Sequence, residues 1–360
     1  MKNNRYFLIT LVLLLALQAA CVKKQDAVPP PVTDSRSLIS ILKNNFNFSM
    51  FYTALQRVGL DKTLEGKGPY TLMVPDNNAF AASGINADSL ARIDTAKLRK
   101  LLLYHILPQS LPYKAMPQAI GVTFTTMAGL PVYFSQPVPA QNQTQQVGKG
   151  IVHINGVTVN AVDLAAGNGY ILALSKVLYY PETSIKAYLE TRPQYSYFVQ
   201  ALKQFGLLSQ LEQPGPFVVM APTNDLFMQN GIDETVLNGL DTLTYQKKLF
   251  NAYILYRQRF FLSDLLDAPI SNALGANPGI ITPEFVQIIT PAQYGGTGGY
   301  GIWPLNFRYI QDISWIPPYG DPYIYAPAAN FTNPDHQAAN GIVHGIGGLV
   351  MLPDSARIHP

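Results

Sequence analysis

Acid–base or nucleophilic chemistry in this chain would have to run through few groups. The histidines, His105, His153, His336, His344 and His359, are the available bases, and a hydrolase would need one of them beside a nucleophile and an orienting acid. The flanking residues show no Gly-x-Ser-x-Gly elbow, no His-Glu-x-x-His pair, no Walker phosphate loop and no paired-histidine metal spacing. The glycine-rich "YGGTGGYG" neither follows a clear strand pattern nor opens a helical one, so a phosphate-cradling role is not expected of it. Asp76 and Asp225 sit where helix-capping turns are expected, Asp163 follows a strand-like run, and no Asp-x-Asp-x-Asp series offers a calcium loop. The expectation is a protein without catalytic residues, metal or cofactor.

Charge excludes another class. The net charge is +3, only 13% of residues are charged, and no Lys/Arg block is interleaved with aromatics, so no nucleic-acid partner is expected. A hydrophobic fraction of 48% over 360 residues is enough to bury a substantial core.

The stretch best suited to binding is aromatic. Both tryptophans, Trp303 and Trp315, fall within one Gly/Pro-rich segment together with Tyr300, Tyr309, Tyr319 and Tyr323. Such side chains present a broad apolar face with a polar handle, suited to stacking on sugar rings or to anchoring a protein contact. They equally suit a small satellite core or packing between domains, and the sequence leaves both arrangements open.

The framework behind these residues is written twice. "GPYTLMVPDNNAF" and "GPFVVMAPTNDLF" stand 147 positions apart, and "FSMFYTALQRVGL" keeps that offset from "YSYFVQALKQFGL". "NGYILALSKVLYYP" and "NGIVHGIGGLVMLP" close the copies at an offset of 172, so the second copy is longer by the difference, 25 residues, placed between Leu255 and Asn340. A period this long marks duplicated globular domains. Copy one is assigned to residues 37–181 and copy two to 183–353, with the aromatic insertion at about 280–335 and a tail at 354–360.

Within each copy, apolar spacing predicts helices first and strands later. "SRSLISILKN" and "FSMFYTALQRVGL" read as helices; "YTLMV" reads as a short buried strand stopped by Pro75. Asp76, or Thr223 in copy two, can cap the turn that follows, with Phe80 or Phe227 folding back as an anchor. "DTAKLRKLLLYHIL" places Leu98, Leu101, Leu102 and His105 on one helical face, which favours a buried, hydrogen-bonded His105. His153 and His344 lie in strand-like runs and are likewise expected to be structural. The Val-, Ile-, Thr- and Tyr-rich remainder reads as strands, giving an α+β domain.

This combination resembles the fasciclin-like domain, an adhesion module. The likeness rests on "YTLMVPDNNAF" and "FVVMAPTNDLF", on Tyr104-His105, and on the closing "NGIVHGIGGLVMLP". It implies two tandem fasciclin-like domains, each a small β-sandwich or wedge with several packed helices. Copy one keeps Tyr104-His105 but has Leu172 where the closing signature carries histidine; copy two keeps that histidine as His344 but reads Ala252-Tyr253 in place of Tyr-His. The resemblance marks Tyr104, His105, His344, Asp76 and Thr223 as family-motif residues with structural roles.

The first 21 residues read as a secretory signal: a basic start, an apolar run from Phe7 to Leu17, Ala19, Ala20 and then Cys21, the sole cysteine. The pattern resembles a lipoprotein lipobox, with Gln18 in place of the usual leucine, and implies lipidation at Cys21 and membrane attachment through acyl chains. Residues 22–36 read as a Pro-rich linker. Similar lipoproteins of Bacteroidetes-type bacteria accompany Sus-type glycan-uptake systems. The resemblance thus implies a non-enzymatic lipoprotein of the cell envelope, at the outer membrane, whose partner is a polysaccharide or a surface or matrix protein. A protein-binding adhesin and a structural accessory subunit of an outer-membrane complex are the alternatives.

Overall fold

The computed structural model describes residues 36–136, 151–257, 259–267, 279–281, 286–291, 305–310 and 331–358. Ser37 accepts the Ser40 N–H and so starts α1 (Leu38–Lys43); α2 (Ser49–Arg57) and α3 (Leu60–Leu64) follow. The apolar run after Pro69 becomes β1 (Tyr70–Pro75), and Asp76 accepts the Ala79 N–H to open α4 (Asn77–Ala82). Then come α5 (Ala87–Arg92), α6 (Thr95–Tyr104), whose first turn is capped by Asp94, and β2 (Ile106–Leu107). The rest of copy one is β3 (Val122–Thr125), β4 (Pro131–Ser135), β5 (His153–Ile154), β6 (Val157–Ala166) and β7 (Gly169–Leu174). Apart from β1, the helices precede the strands, as the spacing predicts.

These strands form one hydrogen-bonded array in the order β2-β1-β7-β6-β5-β4-β3. β1 and β7 pair in parallel, Tyr70 with Gly169 through Pro75 with Leu174, which lays the first motif of the copy against its last. Both strands are covered on both faces. Leu72, Val74, Ile171 and Ala173 pack with the helical residues Leu38, Phe51 and Leu55, whereas Met73, Leu172 and Leu174 pack with Val132, Phe134 and Ile154. Long apolar runs with no polar alternation are what a strand covered on both sides requires. β6 bends at two irregularities between Val159 and Leu164, and Asp163 stands inside it with φ +56°, not after it as the sequence reading placed it.

Among the described residues, copy two repeats half of this plan. Ser184 caps α7 (Ile185–Glu190), then α8 (Ser196–Gln204), β8 (Phe217–Pro222), α9 (Asn224–Gln229) capped by Thr223, α10 (Glu234–Asn238), α11 (Lys248–Asn251), β9 (Ile254–Tyr256) and α12 (Leu262–Asp267) follow. β10 (Gly279–Ile281), β11 (Val286–Pro291) and β12 (Leu305–Ile310) form a separate antiparallel sheet within the insertion. β13 (Phe331–Ala338) and β14 (Gly341–Ile346) then return to a four-stranded sheet, β13-β14-β8-β9, the counterpart of β6-β7-β1-β2. Past Pro353 the chain still packs on this copy: Ala356 is buried and accepts the Gln246 N–H, and the Ile358 N–H donates to Thr244.

Candidate functional site

Of the residues that sequence reading singles out, His105 and His344 fall into two buried nodes, one per copy, and Tyr104 into a junction between the copies.

In copy one, α6 delivers Tyr104 and His105 together. His105 is buried; its Nδ1–H donates to the Leu101 carbonyl at 2.8 Å, and its Nε2 accepts the Leu178 N–H at 3.0 Å. Those bonds fix one neutral tautomer, and desolvation lowers its pKa to about 4. A ring held this way ties the helix end to the chain leaving β7 and has no free nitrogen for a substrate proton. In copy two the equivalent position is Tyr253, whose hydroxyl accepts the Val350 N–H at 3.0 Å. Burial holds that phenol far above its usual range.

His344 belongs to another node. It is fully buried on β14, Nδ1 accepts the Asp335 N–H at 3.1 Å, and Nε2 donates to the Phe260 carbonyl at 3.3 Å, with the Phe260 ring stacked on it. Desolvation depresses its pKa to about 3. Copy one has Leu172 at this place, packed in an apolar cluster with Val132 and Phe134 of β4 and Ile154 of β5.

Each Asn-Gly pair that opens the closing motif is a clamp. Asn168 accepts the Leu38 N–H and donates to the carbonyls of Leu64 and Gly66. Asn340 does the same with Ile185, Leu211 and Gln213. Asn77 and Asn224 are a second matched pair: Asn77 accepts the Met50 N–H and donates to the Phe46 carbonyl, while Asn224 takes the Tyr197 N–H and the Pro193 carbonyl.

At the junction the Tyr104 hydroxyl donates to the Pro131 carbonyl at 2.9 Å and accepts from Asn155 at 2.8 Å, with Gln337 Oε1 of copy two 3.4 Å away. The Arg259 guanidinium lies 4.3 Å over the Tyr133 ring, and Phe261 packs against the same ring. Asp335 accepts the Leu262 N–H at 2.7 Å and approaches His344 Nδ1 at 3.6 Å. Burial pushes its carboxyl up to about 7, the neighbouring Asp264 adding to the rise and Lys176 and His153 of copy one opposing it. Sequence reading passed over Asn155, Arg259 and Asp335. One signal was available for the last: with Asn168 aligned on Asn340, Asp163 falls on Asp335.

Elsewhere, α7 and α8 border an open depression of about 480 Å³ whose rim carries Glu190, Arg192, Gln200 and Lys203. Arg192 is already engaged, 3.6 Å over the Tyr188 ring and donating to the Tyr188 carbonyl. Among the described residues no group of three or more His, Cys, Asp or Glu is placed to hold a metal ion, and no helix is long and apolar enough to cross a membrane. Cys21, Tyr300, Trp303, Trp315, Tyr319 and Tyr323 lie outside the described residues; Tyr309 lies on β12, described by its backbone alone.

Comparison with known proteins places this framework. The Fasciclin domain family matches the chain over residues 46–181 and 193–282. Protein sll1483 of Synechocystis sp. is 28% identical over 162 residues, covering 44% of this chain and 82% of that protein. Transforming growth factor-beta-induced protein ig-h3 of Sus scrofa is 28% identical over 233 residues, covering 63% of this chain and 32% of that protein. Periostin of Homo sapiens is 25% identical over 150 residues, 42% of this chain and 17% of that protein, so the chain spans a third or less of these two animal relatives. A solved FAS1 domain pair from the insect cell adhesion molecule Fasciclin I covers 87% of this chain and 99% of its own, at 19% identity and a TM-score of 0.39.

Proposed function

The chain belongs to the Fasciclin domain family, and on that premise we propose that it is a non-enzymatic adhesion protein whose two copies present a binding surface to a partner outside them. The supporting observation is where the motif residues go. His105, Tyr253, His344, Asn168, Asn340, Asn77 and Asn224 are each spent on backbone groups of their own copy. The repeated part is a scaffold, and a scaffold saturated inside acts through its surface and its insertion.

In the finer reading, acyl chains on Cys21 hold the protein to the outer membrane, residues 22–36 space it from the surface, and the aromatic insertion meets the ligand. A polysaccharide suits Trp303 and Trp315 with their tyrosines, because sugar faces stack on indole and phenol rings. A surface or matrix protein is the second reading, and family membership favours it.

The test is binding of soluble residues 22–360 to immobilised plant, fungal and bacterial polysaccharides, beside a Trp303→Ala/Trp315→Ala variant whose folding has been checked. Saturable binding to one glycan class, lost in the variant, supports capture of polysaccharide through the insertion. Absence of binding to every glycan moves the ligand to protein, to be identified by crosslinking on intact cells. Failure of both arms overturns the adhesive reading. Anchoring is tested separately, by whether Cys21→Ser releases the protein from membranes.

A further inference from the structure

The aspartate at the irregularity of β6 and of β13 does one job in both copies and meets two environments. Asp163 and Asp335 both take a positive φ, +56° and +68°. Asp163 accepts the Tyr113 N–H and Asp335 the Leu262 N–H, each at 2.7 Å, so each pins the loop that follows the short strand β2 or β9. Asp163 is exposed. Asp335 instead faces copy one. A Cβ added to Gly156, in the turn between β5 and β6, would lie 3.0 Å from Asp335 Oδ2 and 3.1 Å from Phe261 Cβ, so the turn sits directly against both residues. The Asp335 side chain keeps 23% of its exposure, enough for protons to exchange with water.

We propose that Asp335 makes the junction between the two copies a proton-controlled latch: with its carboxyl neutral the β5–β6 turn of copy one closes over it, and its ionisation loosens that contact. Charged and titratable groups meet it from every side. Asp264 on α12 opposes ionisation, Lys176 beyond β7 and His153 on β5 favour it, and His344 on β14 stands beside it in neutral form. Next along β13, His336 lies against the Tyr188 ring. Arg259 lies over the Tyr133 ring.

The direction follows from linkage. A carboxyl whose pKa is higher in the closed junction than in the open one binds its proton more tightly when closed. Closure, which takes water from the carboxyl, is therefore favoured by acid and weakened as pH rises towards about 7, with no further change above it. Asp163, open to solvent, is the internal control for the same backbone turn without the cover.

The experiment is amide hydrogen exchange of the full chain at pH 5 and pH 8, corrected for intrinsic rates, read at Asn155 and Phe261. Expected is at least about tenfold less protection at pH 8 in the wild type, and less than about a twofold change in Asp335→Asn, whose amide stays neutral. Wild-type protection that is flat with pH, or that falls in parallel in both proteins, overturns the latch. If Asp335→Asn fails to fold, Lys176→Met carries the test: an upward shift in the midpoint of the wild-type transition supports the latch, and an unchanged or lower midpoint overturns it.

Discussion

Tyr253 does in the second copy what His105 does in the first: its hydroxyl accepts the Val350 N–H, as His105 Nε2 accepts the Leu178 N–H, both at 3.0 Å. The backbone matches as well, since Met73 donates to the His105 carbonyl and Met220 to that of Tyr253. The acceptor is kept while its chemistry changes. Tyr253→Phe removes it and leaves a buried N–H unpaired, so we expect a loss of about 1–3 kcal/mol in urea unfolding. His105→Phe should cost a similar amount, whereas His105→Gln, which can still accept from Leu178, should recover part of it.

Acid should destabilise the protein in a way traceable to single groups. His105 and His344 have folded pKa values of about 4 and about 3, below the unfolded value of 6.5. Their contributions are fully present above pH 6.5 and are lost as pH falls towards those values, at about 1.4 kcal/mol per pH unit for each ring. Asp335 acts oppositely, adding stability as pH falls from about 7. Urea midpoints between pH 7 and 4.5 should therefore fall with acid in the wild type. The fall should be shallower in His344→Leu and steeper in Asp335→Asn. A steepness unchanged by both substitutions would disprove the assignment.

The same residues show how far the sequence could be read. Duplication was legible because Pro75 and Pro222, Asn77 and Asn224, and Phe80 and Phe227 recur at one offset, and the helix-then-strand order followed from apolar spacing. Strand partnership was not legible. Spacing reports which face of a strand is apolar, and β1 and β7, with no polar face, give no sign that Tyr70 lies beside Gly169. Nor did copy one predict that, among the described residues, the sheet of copy two holds four strands and β10, β11 and β12 form a sheet of their own. The role of Asp335 depends on Gly156, a residue of the other copy, and no local pattern carries that information.

That parallel pairing leaves no room for a side chain at Gly169 or Gly341. A Cβ on Gly169 would fall 1.9 Å from the Tyr70 carbonyl oxygen, and one on Gly341 would fall 2.0 Å from that of Phe217. Both obstacles are backbone within a sheet and cannot swing aside. Ala at either position should cost more than about 4 kcal/mol, beyond the range of ordinary substitutions. In thermal unfolding with reporters in each copy, Gly169→Ala should lower the transition of copy one and Gly341→Ala that of copy two. Equal effects on both reporters would mean that the copies unfold as one unit.

The asparagine before each of these glycines gives a sharper test, because its two ends do different work. Asn340 accepts from Ile185 through Oδ1 and donates through Nδ2 to the Leu211 and Gln213 carbonyls. Asn340→Asp keeps the acceptor but turns the donor end into an anion facing two carbonyl oxygens. At pH 7 this should cost about 3 kcal/mol or more, since hydrogen bonds are lost and a charge is set against lone pairs. Protonation restores one donor, so the deficit relative to wild type should shrink as pH falls towards 4. Asn340→Ala loses all three bonds and should show a deficit that does not vary with pH. The pair of variants, compared by urea midpoint at pH 7 and pH 4.5, thus separates a clamp built on two donors from mere packing at this position, which would leave Asn340→Asp insensitive to pH.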